Sequence, residues 1–217
     1  LLIMQMVGSG IVNFILEPRL LGGSGFLMNA ASNSRQIALA VLLGLVTETL
    51  WVGIAITAFP IFWQHTQRMA LWFFALAVVG LAVAVFENVG VMSMVSLSEA
   101  YSKASAVERE HLQTIQVIVA SARDWPHFID RIFIGGAIFV FYTGLYRLAL
   151  IPRALAGLGV IAAVLMITAV AMPLFGNKVI FPMLAPMGLS HLILAVWLMA
   201  KGFRSQPEPP RVLLADS

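Results

Sequence analysis

Three ionisable side chains, Glu48, Glu87 and His191, lie within long apolar stretches of the sequence. Ionisable groups inside a membrane are costly to insert, so they are the first candidates for function. Two carboxylates and an imidazole could relay protons, bind the amine of a small ligand, or hold zinc, iron or manganese. The metal is the weakest of these alternatives, because the chain has no His-Glu-x-x-His motif and no second histidine in an apolar stretch.

The composition indicates the class of protein that carries these groups. Of 217 residues, 60% are hydrophobic and 11% are charged, whereas soluble domains average about 45–50% and about 25%. The chain has no cysteine, which excludes a disulfide scaffold, a zinc ribbon and a reactive-thiol enzyme. Its 13 basic residues are scattered, so we expect no nucleic-acid partner. We predict a polytopic membrane protein whose main partner is the lipid bilayer.

The apolar stretches predict the number of spans, since a membrane-spanning helix needs about 20 mostly apolar residues. Six stretches qualify: 1–16, 37–59, 70–97, 128–148, 154–175 and 181–200. We therefore predict an all-α, six-helix bundle that forms a single transmembrane domain over residues 1–203. Pro60 is expected to close the second helix and Pro126 to precede the fourth. The tail 204–217, with its Gln-Pro-Glu-Pro-Pro run, is expected to be disordered.

The long connection between the third and fourth spans has features of a helix of its own. Ser105 and Glu108 have capping-box spacing, and the apolar residues that follow lie on one helical face. We predict a short interfacial helix here, and a solvated connector helix fits the sequence equally well. His127 is assigned to this connection, while Asp130 and Arg131 are expected to make contacts at the membrane interface.

Glu48, Glu87 and His191 are expected to share one pocket inside the bundle. Each lies about 15 Å along its helix from a loop on the same side of the membrane, near the bilayer midplane. Small residues share the face of each, which is typical of helix contacts in membranes. Gln5 and Asn88 could complete their hydrogen bonds at a similar depth. Two alternatives remain open: each glutamate could be a neutral carboxyl that serves only helix packing, and His191 could be a hydrogen-bonded core histidine.

The basic residues also indicate an orientation in the membrane. On the side of the C-terminus they lie in short turns and close to helix ends, where the positive-inside bias acts. On the opposite side they are spread through longer loops. We therefore expect both termini to be cytoplasmic.

Several motifs resemble those of one bacterial family. They include Phe-Glu-Asn at 86–88, Ile-Pro-Arg-Ala-Leu at 151–155 and Trp-Leu-Met-Ala-Lys-Gly-Phe at 197–203. Over nearly its whole length the chain resembles the membrane-protein family called domain of unknown function 4386. The resemblance implies a six-helix protein of the bacterial inner membrane and implies no activity. It also implies a recurring polar position at Glu87 and Asn88, and less polar residues where this chain has Glu48.

The sequence supports three functional hypotheses. The first is a non-enzymatic protein, either an accessory subunit of a larger membrane complex or a binder of a lipid, pigment or small apolar ligand. It is favoured because the chain has no phosphate-binding glycine loop and no Gly-x-Ser-x-Gly elbow. The alternative is a proton-coupled transporter that uses the midplane Glu and His residues, and the third is an intramembrane metal enzyme. We predict no cofactor beyond an unidentified lipid or pigment, and partners are expected among other membrane subunits or copies of the chain.

Overall fold

The computed structural model describes residues 1–16 and 25–203. These residues form helices and connecting turns, and no strand occurs among them. The all-α class is therefore confirmed. The expected disordered tail, 204–217, lies outside the described residues. The α-helices are α1 (Leu2–Ile11), α2 (Phe26–Asn29), α3 (Ser34–His65), α4 (Gln67–Lys103), α5 (Ala106–Arg147), α6 (Arg153–Ala171) and α7 (Ala185–Lys201).

Three short segments of other helical types lie next to these α-helices. A π-helical segment, Val12–Leu16, continues α1. Two 3₁₀ turns, Met172–Phe175 and Phe181–Leu184, stand between α6 and α7. Gly176 ends the first of them in the left-handed conformation, at φ 74°, which a residue without a Cβ adopts at little cost.

Five helical segments are long and apolar enough to cross a membrane: Ser34–His65, Gln67–Lys103, Ala106–Arg147, Arg153–Phe175 and Phe181–Lys201. The protein is therefore a membrane protein with transmembrane helices. The apolar helix Leu2–Leu16 is shorter than these five. At 1.5 Å per residue it extends over roughly 22 Å, less than the ~30 Å of the hydrocarbon core. We predicted six spans. The described residues contain five helices long enough to span the membrane and one shorter apolar helix at the position of the first predicted span.

Helix α5 differs most from the sequence-based prediction. It runs without interruption over 42 residues, so the expected interfacial helix and the expected fourth span are one element. Its beginning was predicted correctly, because the Ser105 backbone N–H donates to Glu108 Oε2 at 2.8 Å in a capping box. Pro126 lies inside α5, and Pro60 lies inside α3 rather than closing it. Membrane helices tolerate internal proline because neighbouring groups satisfy the carbonyl that it leaves without a partner.

Helix α5 packs against α4 on one side and α6 on the other, and α4 also packs against α3. The contact between α4 and α5 is close at Gly90. A Cβ added there would lie 2.8 Å from the Ala122 carbonyl oxygen and 2.9 Å from the Arg123 Cα. Because a Cβ at Gly90 would not fit, glycine permits backbone-to-backbone contact one turn beyond Glu87.

The other half of α5 packs into an aromatic core. Phe62 of α3, Phe73 of α4, and Phe141 and Tyr142 of α5 are all buried. The Phe73 and Phe141 ring centroids lie 5.3 Å apart, and those of Phe62 and Phe141 lie 6.1 Å apart. A Cβ added at Gly144 would lie 2.7 Å from the Phe62 ring. This end of the bundle is therefore held by ring packing.

Candidate functional site

Glu87 lies on the face of α4 that contacts α5. Its Oε1 atom lies 2.8 Å from His127 Nδ1 and 3.7 Å from an Arg123 guanidinium nitrogen. Arg123 and His127 are four residues apart on α5, and so they lie on the same helical face. Both Glu87 and Arg123 are buried. The close approach at Gly90 brings the two helices near enough for these contacts.

Glu48 of α3 pairs with a second cation on the same face of α5. An Arg131 guanidinium nitrogen donates to Glu48 Oε1 at 3.0 Å. The other carboxylate oxygen, Oε2, is buried and has no hydrogen-bond partner in the described part of the chain. Arg131 Nε also lies 3.5 Å from Asp130 Oδ2. Asp130 is completely buried, so α5 contributes a carboxylate of its own beside the two that it meets on α3 and α4.

We name this group the ionic cluster: Glu48, Glu87, Arg123, His127, Asp130 and Arg131. Its three carboxylates carry a charge of −3 when ionised and its two guanidinium groups carry +2, so the sum is −1 with neutral imidazole. The half-exposed Asp124, which pairs with Arg123 at 3.2 Å, is not counted in this group. Burying an uncompensated charge in a medium of low dielectric is costly. One added positive charge would make this group of six neutral. The arrangement therefore favours a compensating positive charge beside it.

A small cavity lies against the ionic cluster. Its volume is about 40 Å³, which is space for a few water molecules at most. Residues of α1, its π-helical extension, α3, α4 and α5 line it. The polar residues among them are Ser9, Asn13, Thr47, Glu48, Glu87, Asn88 and Arg131. The other lining residues are apolar, so the cavity has a charged side against α5 and an apolar side.

The structure brings together some of the residues that the sequence predicted to share a pocket. Glu48, Glu87 and Asn88 line the cavity. Gln5 is buried on α1 but is not one of the lining residues. Asn88 Nδ2 donates to the Ala84 carbonyl oxygen at 2.8 Å, so its amide nitrogen is used within its own helix.

His191 lies in a different environment from the two glutamates. Its ring centroid is 5.5 Å from that of Trp51 and 5.7 Å from that of Tyr142. It does not line the cavity, and its Nε2 atom has no partner within the described ranges. The prediction relied on the three residues lying at the same depth in the membrane. Depth does not determine which faces of two helices pack together, and His191 lies on a face that packs against Trp51 and Tyr142. The ligand set Glu48, Glu87 and His191 is therefore not assembled, and no group of three His, Cys, Asp or Glu residues suited to a metal occurs among the residues described.

Three of the four cluster residues on α5, His127, Asp130 and Arg131, were assigned other roles from the sequence, and Arg123 was assigned none. His127 lies within a helix rather than a connection, and Asp130 is buried rather than at an interface. Arg131 pairs with Glu48. A signal was present, because Arg123, His127, Asp130 and Arg131 have the i, i+4, i+7, i+8 spacing of one helical face. The pattern was missed because the helix was predicted to begin after Pro126, which separated Arg123 from the other three residues.

The family described as Domain of unknown function (DUF4386) matches residues 1–202. This match confirms the family that the sequence motifs indicated. No curated protein and no solved structure matches the chain.

Proposed function

Since the chain belongs to the family Domain of unknown function (DUF4386) and its helices are apolar enough to cross a membrane, we propose that it is a proton-coupled transporter of a small solute. In this proposal the protein is not an enzyme. It lies in the bacterial inner membrane with both termini in the cytoplasm. The ionic cluster binds the proton and the adjacent cavity receives the solute.

The observation that carries the proposal is the charge balance of the ionic cluster. Three carboxylates meet two guanidinium groups and one imidazole. Ionisable residues inside membrane bundles are typical of proton pathways, because packing alone is achieved at lower cost by small apolar residues. Arg131 pairs with Glu48 and also lines the cavity. An occupant of the cavity would therefore alter the field at the proton site, as coupling requires.

The charged side of the cavity supports a polar solute rather than an apolar ligand at this site. Glu48, Glu87 and Arg131 all contribute to its wall. An apolar molecule there would separate these groups from polar partners and leave their hydrogen-bonding needs unmet. A small polar or charged solute satisfies them instead.

Charge displacement after a rapid pH change tests the proposal without knowledge of the solute. Purified protein is reconstituted into proteoliposomes on a solid-supported membrane, and the transient current that follows a pH step is recorded. We expect a saturable current from the native chain and a loss of most of it in Glu87→Gln. The matched control is Glu99→Gln, an exposed acid on the same helix, which is expected to give the native current. Equal currents from native protein, Glu87→Gln and protein-free liposomes would refute the proposal.

A second candidate function, binding of a lipid or another apolar molecule, is favoured by a separate groove. This groove has a volume of about 410 Å³ and is lined mainly by apolar residues of α1, α3, α5 and α7, including Leu2, Ile54, Phe141 and Leu198. Native mass spectrometry of protein extracted in mild detergent tests it. A bound organic mass that is lost in Ile54→Trp supports this function. An added protein mass would identify an accessory subunit instead, and a bare monomer would count against both.

A further inference from the structure

We propose that the cavity beside the ionic cluster binds an ammonium ion or the head of a small protonated primary amine. The inference rests on the proposed function, because it names the chemical class of the solute. It is carried by three observations: the polar atoms that are free to face the cavity, an unpartnered buried carboxylate oxygen, and the charge of the wall.

Three of the polar lining residues, Asn13, Thr47 and Asn88, use side-chain donors within their own helices. Asn13 Nδ2 donates to the Ser9 carbonyl oxygen at 2.7 Å, and Asn88 Nδ2 donates to the Ala84 carbonyl oxygen at 2.8 Å. The Thr47 hydroxyl donates to the Leu43 carbonyl oxygen at 2.7 Å. Each of these side chains still offers oxygen lone pairs, and Asn88 keeps one amide N–H as well. These oxygens favour an occupant that donates hydrogen bonds.

Glu48 adds a charged acceptor to this set. The residue is 5% exposed, and it lines the cavity. Its Oε1 accepts from Arg131, while Oε2 is buried with no partner in residues 1–16 and 25–203. A buried carboxylate oxygen without a donor is costly. A cation held in the cavity against Glu48 would offset part of that cost through its charge.

The number of acceptors and the size of the cavity limit the cation. Six residues of the wall carry side-chain oxygens that can accept hydrogen bonds, more than enough for the four N–H donors of an ammonium ion: Ser9, Asn13, Thr47, Glu48, Glu87 and Asn88. A volume of about 40 Å³ leaves no space for a quaternary amine such as choline. A divalent ion would require several carboxylate ligands, and both carboxylates of the wall already face cations on α5.

Charge links this cation to the proton. The wall carries two carboxylates and the Arg131 guanidinium group, and it is contacted from α5 by Arg123, His127 and Asp130. The half-exposed Asp124 pairs with Arg123 and is screened by solvent. A net charge of −1 is neutralised by one proton or by one ammonium ion. Binding of the cation therefore favours release of the proton, and the reverse holds by linkage. Exchange of a small ammonium cation for a proton follows from this competition.

Binding of radiolabelled methylammonium to the purified full chain in detergent tests the inference. We expect saturable binding that ammonium displaces, and that sodium, potassium and choline do not displace at the same concentration. Asn88→Leu removes one acceptor and is expected to weaken binding about tenfold or more. Glu48→Gln removes the charge and is expected to abolish binding. Asn177→Leu, an exposed asparagine in the turn before α7, is the matched control and should bind as the native chain does.

The outcomes separate this inference from the proposed function. Absence of methylammonium binding in protein that still gives the Glu87-dependent pH-step current would overturn the inference and leave proton coupling standing. Displacement by sodium as effective as that by ammonium would also overturn it, because the site would then select an alkali cation. Saturable binding lost in Asn88→Leu, from protein without a pH-step current, would support the site and refute transport. Unchanged binding in correctly folded Asn88→Leu and Glu48→Gln would place the amine elsewhere and overturn the inference.

Discussion

The two halves of α5 pack by different means. Between Arg123 and Arg131 the helix meets α3 and α4 through charged side chains, among them a completely buried Asp130. Around Phe141 and Tyr142 it meets the same two helices and α6 through closely packed rings. An aromatic core in a membrane obtains stability from packing alone. The half from Arg123 to Arg131, called here the ionic half, carries groups whose burial is costly. Stability alone therefore does not explain why these charged groups are present.

The largest expected effect comes from removing a cation from the ionic half. Arg131→Met leaves Glu48 and Asp130 buried without their shared partner, so the free energy of unfolding is expected to fall by about 3–5 kcal/mol. Unfolding in mixed detergent micelles measures this change. Adding Glu48→Gln to Arg131→Met should recover part of the loss, because one of the unpaired charges is then absent. A loss under about 1 kcal/mol would show that the ion pair is not a buried interaction.

Two glycines allow matched perturbation of the two halves. Gly90→Ala places a methyl group against the α5 backbone at Ala122, and Gly144→Ala places one against the Phe62 ring. Overpacking of this kind is expected to cost about 1–3 kcal/mol in each case. Only Gly90→Ala should also reduce the pH-step current, because it separates Glu87 from His127. Equal loss of current in both variants would mean that the ionic half has no special role in proton binding.

A smaller effect is expected within the aromatic half. Phe73 is buried, and its ring centroid lies 6.0 Å from that of Phe62 and 5.3 Å from that of Phe141. Phe73→Leu keeps an apolar side chain of related volume, so unfolding should become easier by only about 1 kcal/mol. The pH-step current should stay at the native level. A lost current in this variant would contradict the separation of the two halves.

The smallest effect is expected at the exposed N-terminus of α5. Hydrogen bonds from the Ser105 hydroxyl and backbone N–H lower the pKa of Glu108 from its ordinary value of 4.5. This contribution to helix stability is present above the unfolded-state pKa and is lost as the pH falls through the lower folded-state pKa. Hydrogen exchange at the first turn of α5 should therefore accelerate on acidification from about pH 6 to about pH 3.5. Glu108→Gln should reduce the protection already at the higher pH, whereas Glu110→Gln, an exposed neighbour, should not.

Local features of the fold could be predicted from the sequence, and contacts between helices could not. The apolar stretches gave the all-α class and the positions of five membrane-spanning helices, because span length follows from bilayer thickness. Ser105 and Glu108 correctly predicted the beginning of α5. Pro126 misled the prediction, since a proline that ends helices in water is accommodated within α5.

The site shows the same limit more clearly. Glu48 and Glu87 line one cavity, while His191 packs against Trp51 and Tyr142. Depth along a helix follows from counting residues, but the rotation of one helix against its neighbour depends on packing across the whole bundle. Because α5 continues through Pro126, His127 lies on the same helical face as Arg131, and the two residues pair with Glu87 and Glu48. Treating residues on both sides of Pro126 as one helix would have placed them on the same helical face.

The central claim is that the ionic cluster holds one exchangeable proton, and infrared difference spectroscopy across a pH step tests it most directly. The native chain should show one carboxylic-acid or imidazolium band that titrates. That band should be absent in Glu87→Gln and retained in Glu99→Gln. A titrating band that Glu87→Gln leaves unchanged would contradict the claim, because the titrating group would then not depend on the charge of the ionic cluster. A native spectrum without such a band would contradict it as well.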